Sequence, residues 1–167
     1  QLCEWITGGI IMSEDLKLKK FTAAEISRET HGELQIYNGA DSEKQQSAIS
    51  TDSRESGEGV IFCAIKGQNV DGNDFIPAAV EAGADCFICQ YVPEEAKKSG
   101  KPFCAIIVED TIKAMGDLAA YYRGFSSAKF VAVTGSVGKT TTKEFIYAVA
   151  SASFKTHKTQ GNYNNEL

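Results

Sequence analysis

No apolar run in this 167-residue chain approaches the ~18 residues that a membrane span requires. The opening QLCEWITGGII is too short to span, and it lacks the basic region and small-residue cleavage site of a signal peptide. Positive charge is in deficit: Lys and Arg number 17 against 22 Asp and Glu, for a net charge of −5 and a pI of about 5.1. Such a surface repels a phosphate backbone at long range, which argues against generic nucleic-acid binding. Histidine is scarce. His31 and His157 each stand alone, so surface or structural roles are expected for both. There is no internal repeat and no low-complexity tract.

Cysteine is sparse and odd in number: Cys3, Cys63, Cys86, Cys89 and Cys104. Most lie inside apolar runs, as reduced, buried thiols of a cytoplasmic protein do. Cys86 and Cys89 have the spacing of half a zinc site. However, ADCFICQ reads as a strand, where residues three apart point to opposite faces, and no second Cys or His pair accompanies them. A packed-core role is expected.

What is present is the balance of a soluble globular protein, 43% hydrophobic and 23% charged. The length allows one domain plus part of a second. Met12 followed by SEDLKLKK reads as a natural start, so residues 1–17 are set apart as an extension outside the fold. Thr22 with Glu25 forms a capping box for a short amphipathic helix carrying Ala23 and Ile26, stopped at Gly32. ELQIY, SAIST, VIFCAI, DCFICQ and FCAIIVE read as strands. DFIPAAVEAGA, capped by Asp74 and stopped by Gly83, PEEAKKSG, and DTIKAMGDLAAYYRGF, capped by Asp110 or Thr111, read as helices. This alternation predicts an α/β layer structure. RGFSSAK is the best boundary, separating a domain at 18–125 from the start of a second, incomplete one at 126–167.

The second unit opens with KFVAVT (strand), GSVGK (turn) and TTTKEFIYAVASA (helix), then FKTHK, a further strand. A buried strand that turns through glycines into a helix gathers backbone N–H groups at the positive end of the helix dipole, which suits a polyphosphate. Gly135 and Gly138 permit close backbone approach, with Ser136 and Val137 between them. Lys139 supplies an ammonium for the β- and γ-phosphates, and Thr140 a hydroxyl for a magnesium ion bridging them. Thr141 is a further hydroxyl near the phosphates. Thr142 and Lys143 read as helix surface. The strict pattern G-x-x-x-x-G-K-[ST] is not met, because Val133 stands where its first glycine would be. ATP binding is nonetheless the expected role. Glu109 and Asp110 superficially resemble the acidic strand end of a nucleotide hydrolase, but Asp110 is better placed to cap the next helix.

TGSVGKTTTKE closely resembles the ATP-binding signature of the Mur ligases, the ATP-dependent amide-forming enzymes of peptidoglycan synthesis. Ser136, the trailing Lys143-Glu144 and the final TQGNYNNEL are most similar to the branch that joins D-alanyl-D-alanine to UDP-N-acetylmuramoyl tripeptide. STDSRESGEGVIFCAIKGQNVDGNDFIPAAVEAGADCFI resembles the N-terminal domain of that family, with Asn73 where a histidine is commoner.

The resemblance implies an N-terminal domain holding the UDP-sugar and a central domain holding ATP and Mg²⁺, with Lys139 and Thr140 as catalytic groups. The family's metal-binding glutamate, carbamylated lysine and adenine pocket would fall after Leu167, so a chain of this extent is expected to show no ligase turnover by itself. For the UDP-sugar the resemblance selects Thr51, Asp52, Ser53 and Arg54, and less directly Lys66 and Gly67. The other reading of the first four is an Asx-type turn with Arg54 in a surface ion pair. Asp71 and Gly72 are divided between a turn and a substrate contact. Asn162, Asn164 and Asn165 either meet substrate or fix a turn-rich loop, and Tyr163 either stacks or packs. A monomer is expected, without nucleic-acid or membrane partners. A sister ligase of the family, a folylpolyglutamate synthase, and a non-catalytic UDP-sugar-binding module are the competing readings.

Overall fold

In the computed structural model, residues 9–12, 19–67, 69–125 and 128–159 are described. Along the chain, strand β1 (Gly9–Met12) is followed by helix α1 (Ala23–Thr30), β2 (Glu33–Tyr37), β3 (Ala48–Ser50) and β4 (Val60–Cys63). Then come α2 (Ile76–Glu81), β5 (Cys86–Cys89), α3 (Glu94–Lys97), β6 (Phe103–Ile107) and α4 (Thr111–Arg123). The chain continues with β7 (Lys129–Ala132), α5 (Lys139–Ala150) and β8 (Thr156–Lys158). Short 3₁₀ turns cover Ser53–Glu55 and Gly72–Phe75. The α/β alternation predicted from sequence is present. Among the described residues, no helix is long and apolar enough to cross a membrane.

Two compact units divide between Tyr121 and Tyr122, within α4. The first, Lys19–Tyr121, holds a five-stranded mixed sheet in the order β2-β6-β5-β4-β3. Strands β3 to β6 run parallel, and β2 lies antiparallel to β6 with Glu33 opposite Ile107 and Tyr37 opposite Phe103. The central strands β4, β5 and β6 are short runs of apolar residues covered on both faces, as a parallel sheet requires, while the antiparallel edge strand β2 is half-exposed. On one face Phe62, Phe87 and Phe103 pack with Ile76, Ala79 and Val80 of α2 and Ala96 of α3. The Phe87 ring meets Phe62 and Phe103 edge-on, at centroid distances of 6.2 and 5.4 Å, a favoured aromatic geometry. The opposite face takes the alternate residues Ile61, Ile88 and Ile106, all fully buried. Cys86 and Cys89 accordingly point to opposite faces, and Cys63, Cys86, Cys89 and Cys104 are buried free thiols.

Local chemistry sets the element ends. Thr22 Oγ1 accepts from the Glu25 N–H, and Glu25 Oε2 accepts from the Thr22 N–H, each at 3.2 Å. The box expected from sequence is therefore formed, worth about 1 kcal/mol at such caps. The stop of α1 is one residue earlier than expected. His31, not Gly32, takes the left-handed conformation (φ 54°), and the Gly32 N–H returns to Ser27 O. Gly32 serves packing instead: a Cβ there would lie 2.5 Å from Ile106 Cγ2. Asp74 does not cap α2. Asp71 accepts from the Asn73 N–H to cap the preceding 3₁₀ turn, and α2 begins after Phe75. Asp110 does cap α4, its Oδ1 accepting from the Ile112 and Lys113 N–H groups at 2.8 and 3.1 Å. Gly83, at φ +98°, ends α2 as expected.

The second unit comprises β7, α5 and β8 together with β1. Its sheet has the order β7-β1-β8, with β1 antiparallel to both neighbours: Gly9 opposes Ala132 and Ile10 opposes Lys158. Setting residues 1–17 wholly outside the fold is thus corrected for Gly9–Met12. The segment GIIM carries the β-branched residues that favour a pleated strand, and α5 packs on β1 and β8.

Candidate functional site

Strand β7 leaves the sheet at Ala132 and the chain turns through Gly135 and Gly138 into α5. Gly135 has φ +149° and Gly138 φ +81°, values that side-chain-bearing residues rarely adopt. Gly138 immediately precedes α5, and the Thr142 N–H donates to its carbonyl at 2.9 Å. The first turn of the helix is therefore Lys139 to Thr141, where amides have no intrahelical acceptor and the helix dipole is positive.

Lys139 folds back over the loop, its Nζ donating to Gly135 O at 2.6 Å. The ammonium thereby closes a ring of five residues, Gly135 to Lys139. Ser136, Val137, Thr140 and Thr141 are exposed, Val137 almost completely at 90%. A loop with accessible backbone, two glycines and one ammonium fits a polyphosphate, and the exposed Thr140 hydroxyl is an oxygen donor of the kind that would hold a magnesium ion.

Thr142 is exposed as expected, but Lys143 is not helix surface. It is buried, at 8% exposure, and its Nζ donates to Thr159 O at 2.7 Å and Thr159 Oγ1 at 3.3 Å. The partner is distant in sequence, so helical spacing alone could not place this side chain.

In the first unit the loops after β3, β4, β5 and β6 share the carboxyl ends of the parallel strands, the usual location of ligands in such sheets. After β3, Asp52 Oδ1 accepts from the Arg54 N–H at 2.9 Å, and both carboxylate oxygens accept from its guanidinium at 2.6–3.1 Å. The Asx turn and the ion pair foreseen as one of two readings are both formed. The pairing holds the Asp52 carboxyl down to about 2. Arg54 remains 87% exposed on its side chain, so its planar fork is oriented while still accessible to an anion. Thr51 and Ser53 are half-buried beside it.

After β4, Lys66 is exposed and lies 4.0 Å from Asp71, while the Gly67 N–H donates to Val70 O at 2.9 Å. Asp71 and Gly72 form the turn that sequence left open against a contact role. Gly72 is buried, and a Cβ there would sit 2.5 Å from Ile65 O and 2.6 Å from Ile65 N. Asn73 is fully buried and organises the rim. Its Nδ2 donates to Asp71 Oδ1 at 2.6 Å and its Oδ1 accepts from the Gln90 N–H at 3.0 Å. Gln90 Nε2 continues to Glu109 O at 2.8 Å, and Tyr91 OH donates to Asp74 Oδ1 at 3.2 Å. These bonds join the loops after β4, β5 and β6. Sequence reading missed Gln90 and Tyr91, whose only signal was their place at a strand's carboxyl end. Asn162, Tyr163, Asn164 and Asn165 lie outside the described residues.

Comparison with known proteins places this geometry in context. Residues 46–123 match the model described as Mur ligase family, catalytic domain, and residues 133–167 match the Mur ligase middle domain. The UDP-N-acetylmuramoyl-tripeptide–D-alanyl-D-alanine ligase of Synechocystis is 43% identical over 119 residues, which is 71% of this chain and 26% of that protein. Among solved structures, MurF from Acinetobacter baumannii matches with a TM-score of 0.69 and 30% identity, over 83% of this chain and 29% of that one. MurF from Thermotoga maritima, solved in complex with ADP, matches with a TM-score of 0.56 and 35% identity, over 64% of this chain and 23% of that one. The chain thus spans between a fifth and a third of the length of these relatives.

Proposed function

This chain belongs to the Mur ligase family, and from that premise we propose that it forms the UDP-sugar-holding domain and the opening of the ATP-binding domain of a MurF-type ligase. The reaction is the ATP-dependent joining of D-alanyl-D-alanine to UDP-N-acetylmuramoyl tripeptide in the cytoplasmic stage of peptidoglycan synthesis. The observation that carries the reading is the loop from Gly135 to Gly138 at the start of α5, closed by Lys139. It fits the β- and γ-phosphates of a nucleotide.

In that reaction the tripeptide carboxylate attacks the γ-phosphorus of ATP, giving an acyl phosphate and ADP. The amine of D-alanyl-D-alanine then displaces inorganic phosphate and forms the amide. The chain's own part is to bind and neutralise. Lys139 exchanges Gly135 O for phosphate oxygens, and the amides from Gly135 to Thr141 surround the triphosphate. The Thr140 hydroxyl would hold Mg²⁺, whose chemistry is to neutralise the bridging phosphate oxygens. In the first unit Arg54, held in plane by Asp52, meets the diphosphate of the UDP-sugar. Thr51, Ser53 and Lys66 line the same rim, and Asn162, Asn164 and Asn165 are assigned to substrate contact.

Calorimetric titration with UDP-N-acetylmuramoyl tripeptide, and separately with MgATP, tests the proposal. Saturable binding of both supports it. UDP-sugar binding without MgATP binding favours the sugar-nucleotide module over the ligase reading, and a chain that does not bind the UDP-sugar removes the first unit's assignment.

A further inference from the structure

Lys143 stands one turn beyond Lys139 on α5 and points away from solvent. Its ammonium donates to both the carbonyl and the hydroxyl of Thr159, and Thr159 is itself buried, at 6% exposure. A buried ammonium is costly unless its protons are accepted, so these bonds tie the first turns of α5 to the chain leaving β8. The tie is reinforced on the next residues: Glu144 pairs with Lys158, and the Lys158 ammonium sits 4.4 Å from the Tyr147 ring centroid. Lys143 is therefore the innermost of three contacts holding helix and strand in one register, and it lies nearest the loop.

We propose that Lys143 is a positioning residue of the nucleotide site. By fixing Thr159 against α5 it sets the orientation of the helix turn that carries Lys139 and Thr140, and hence the aim of the loop's amides. This rests on the nucleotide reading above, and the test separates the two.

The 167-residue chain is titrated with MgATP and with UDP-N-acetylmuramoyl tripeptide as wild type, Lys143→Met and Thr159→Ser. Amide exchange is followed at Thr156–Thr159 and at Ile146–Ala150. The expected result is that Lys143→Met weakens MgATP about tenfold, in line with losing a charge-assisted bond. UDP-sugar affinity stays unchanged, and exchange at Thr156–Thr159 speeds up while Ile146–Ala150 stays protected. Thr159→Ser keeps both acceptors and binds MgATP within about twofold of wild type. Should Lys143→Met expose Ile146–Ala150, Thr159→Val carries the test: it deletes only the hydroxyl acceptor and is expected to weaken MgATP about threefold. Faster exchange at Thr156–Thr159 with unchanged MgATP affinity reduces Lys143 to a structural tie and overturns the proposal. A wild-type chain that binds no MgATP overturns the nucleotide reading, and this role with it.

Discussion

Arg54 Nη2 lies 2.6 Å from Asp52 Oδ2, while Arg54 Nε is shared between the two carboxylate oxygens at 2.9 and 3.1 Å. The pair is local, two residues apart, and the same Asp52 also caps the 3₁₀ turn that begins at Ser53. An exposed ion pair adds little stability; under the proposed function its value lies in aiming the guanidinium. Arg54→Ala is expected to weaken UDP-sugar binding tenfold or more, on the order of a bidentate anion contact, with no change in MgATP affinity. Calorimetry with each ligand checks this, and equal UDP-sugar affinity in the variant would remove Arg54 from the site.

The same pair makes a pH prediction. Asp52 is depressed from an ordinary 3.8 to about 2, first by the Arg54 side chain and then by its backbone N–H. A carboxyl depressed on folding stabilises above its unfolded value and loses that contribution as pH falls through the folded one. Between pH 5 and 8 the pair is therefore constant, and any change belongs to the window from about 4 down to about 2. Carboxyl carbon NMR shifts should report a midpoint near 2 for Asp52 in the wild type, moving back toward 3.8 in Arg54→Ala. An unmoved midpoint would show that another group depresses it.

Lys139→Ala removes the ammonium that now rests on Gly135 O. It should abolish measurable MgATP binding by this chain while UDP-sugar affinity stays at the wild-type level. Retained MgATP binding would mean that the loop amides suffice and that Lys139 has been given the wrong role.

What was legible in the sequence was what is decided locally or by period. The Thr22–Glu25 box, the Asp110 cap and the stop at Gly83 each depend on residues within a few positions, and all three formed as read. The glycine turn at Gly135–Gly138 belongs to the same class. What failed depended on distant partners. Lys143 looked exposed on a helical wheel because Thr159, which buries it, is 16 residues away. Gly9–Met12 looked like an extension because its pairing partners are Lys129–Ala132 and Thr156–Lys158. Gly32 looked like the left-handed stop, yet His31 takes that conformation and Gly32 yields space to Ile106. Asp71, Asn73 and Gln90 form one rim only because β4 and β5 are neighbours in the sheet.

Gly72→Ala probes that rim. Its φ is not in the left-handed region, so the obstacle is steric: the new Cβ would meet Ile65 O at 2.5 Å and Ile65 N at 2.6 Å. Backbone cannot swing aside as a side-chain tip can, and overpacking of this kind costs about 1–3 kcal/mol. Urea unfolding should show that loss for Gly72→Ala, accompanied by weaker UDP-sugar binding as the loop after β4 is displaced. Gly39→Ala, where no atom lies within 4 Å but φ is +72°, isolates backbone strain of about 1 kcal/mol from contact and should leave UDP-sugar affinity unaltered.

The thiols supply the last prediction. Burial pushes Cys89 up to about 12 and Cys104 to about 11, with the Asp85 charge adding to the second, and raises Cys63 and Cys86 as well. The thiolate is the reactive form, so at pH 8 all four should resist a disulfide reagent such as dithionitrobenzoate in the native protein and react at once when it is denatured. Their acidity also bears on stability. A thiol raised on folding stabilises below its ordinary value of 9.0 and loses that contribution as pH climbs toward the folded one. Melting temperature should therefore fall steeply between pH 9 and 11, and replacing Cys89 by Ala should flatten the fall. Rapid native labelling of Cys86 or Cys89 at pH 8 would contradict their burial on opposite faces of β5 and revive the half-zinc-site reading of this pair.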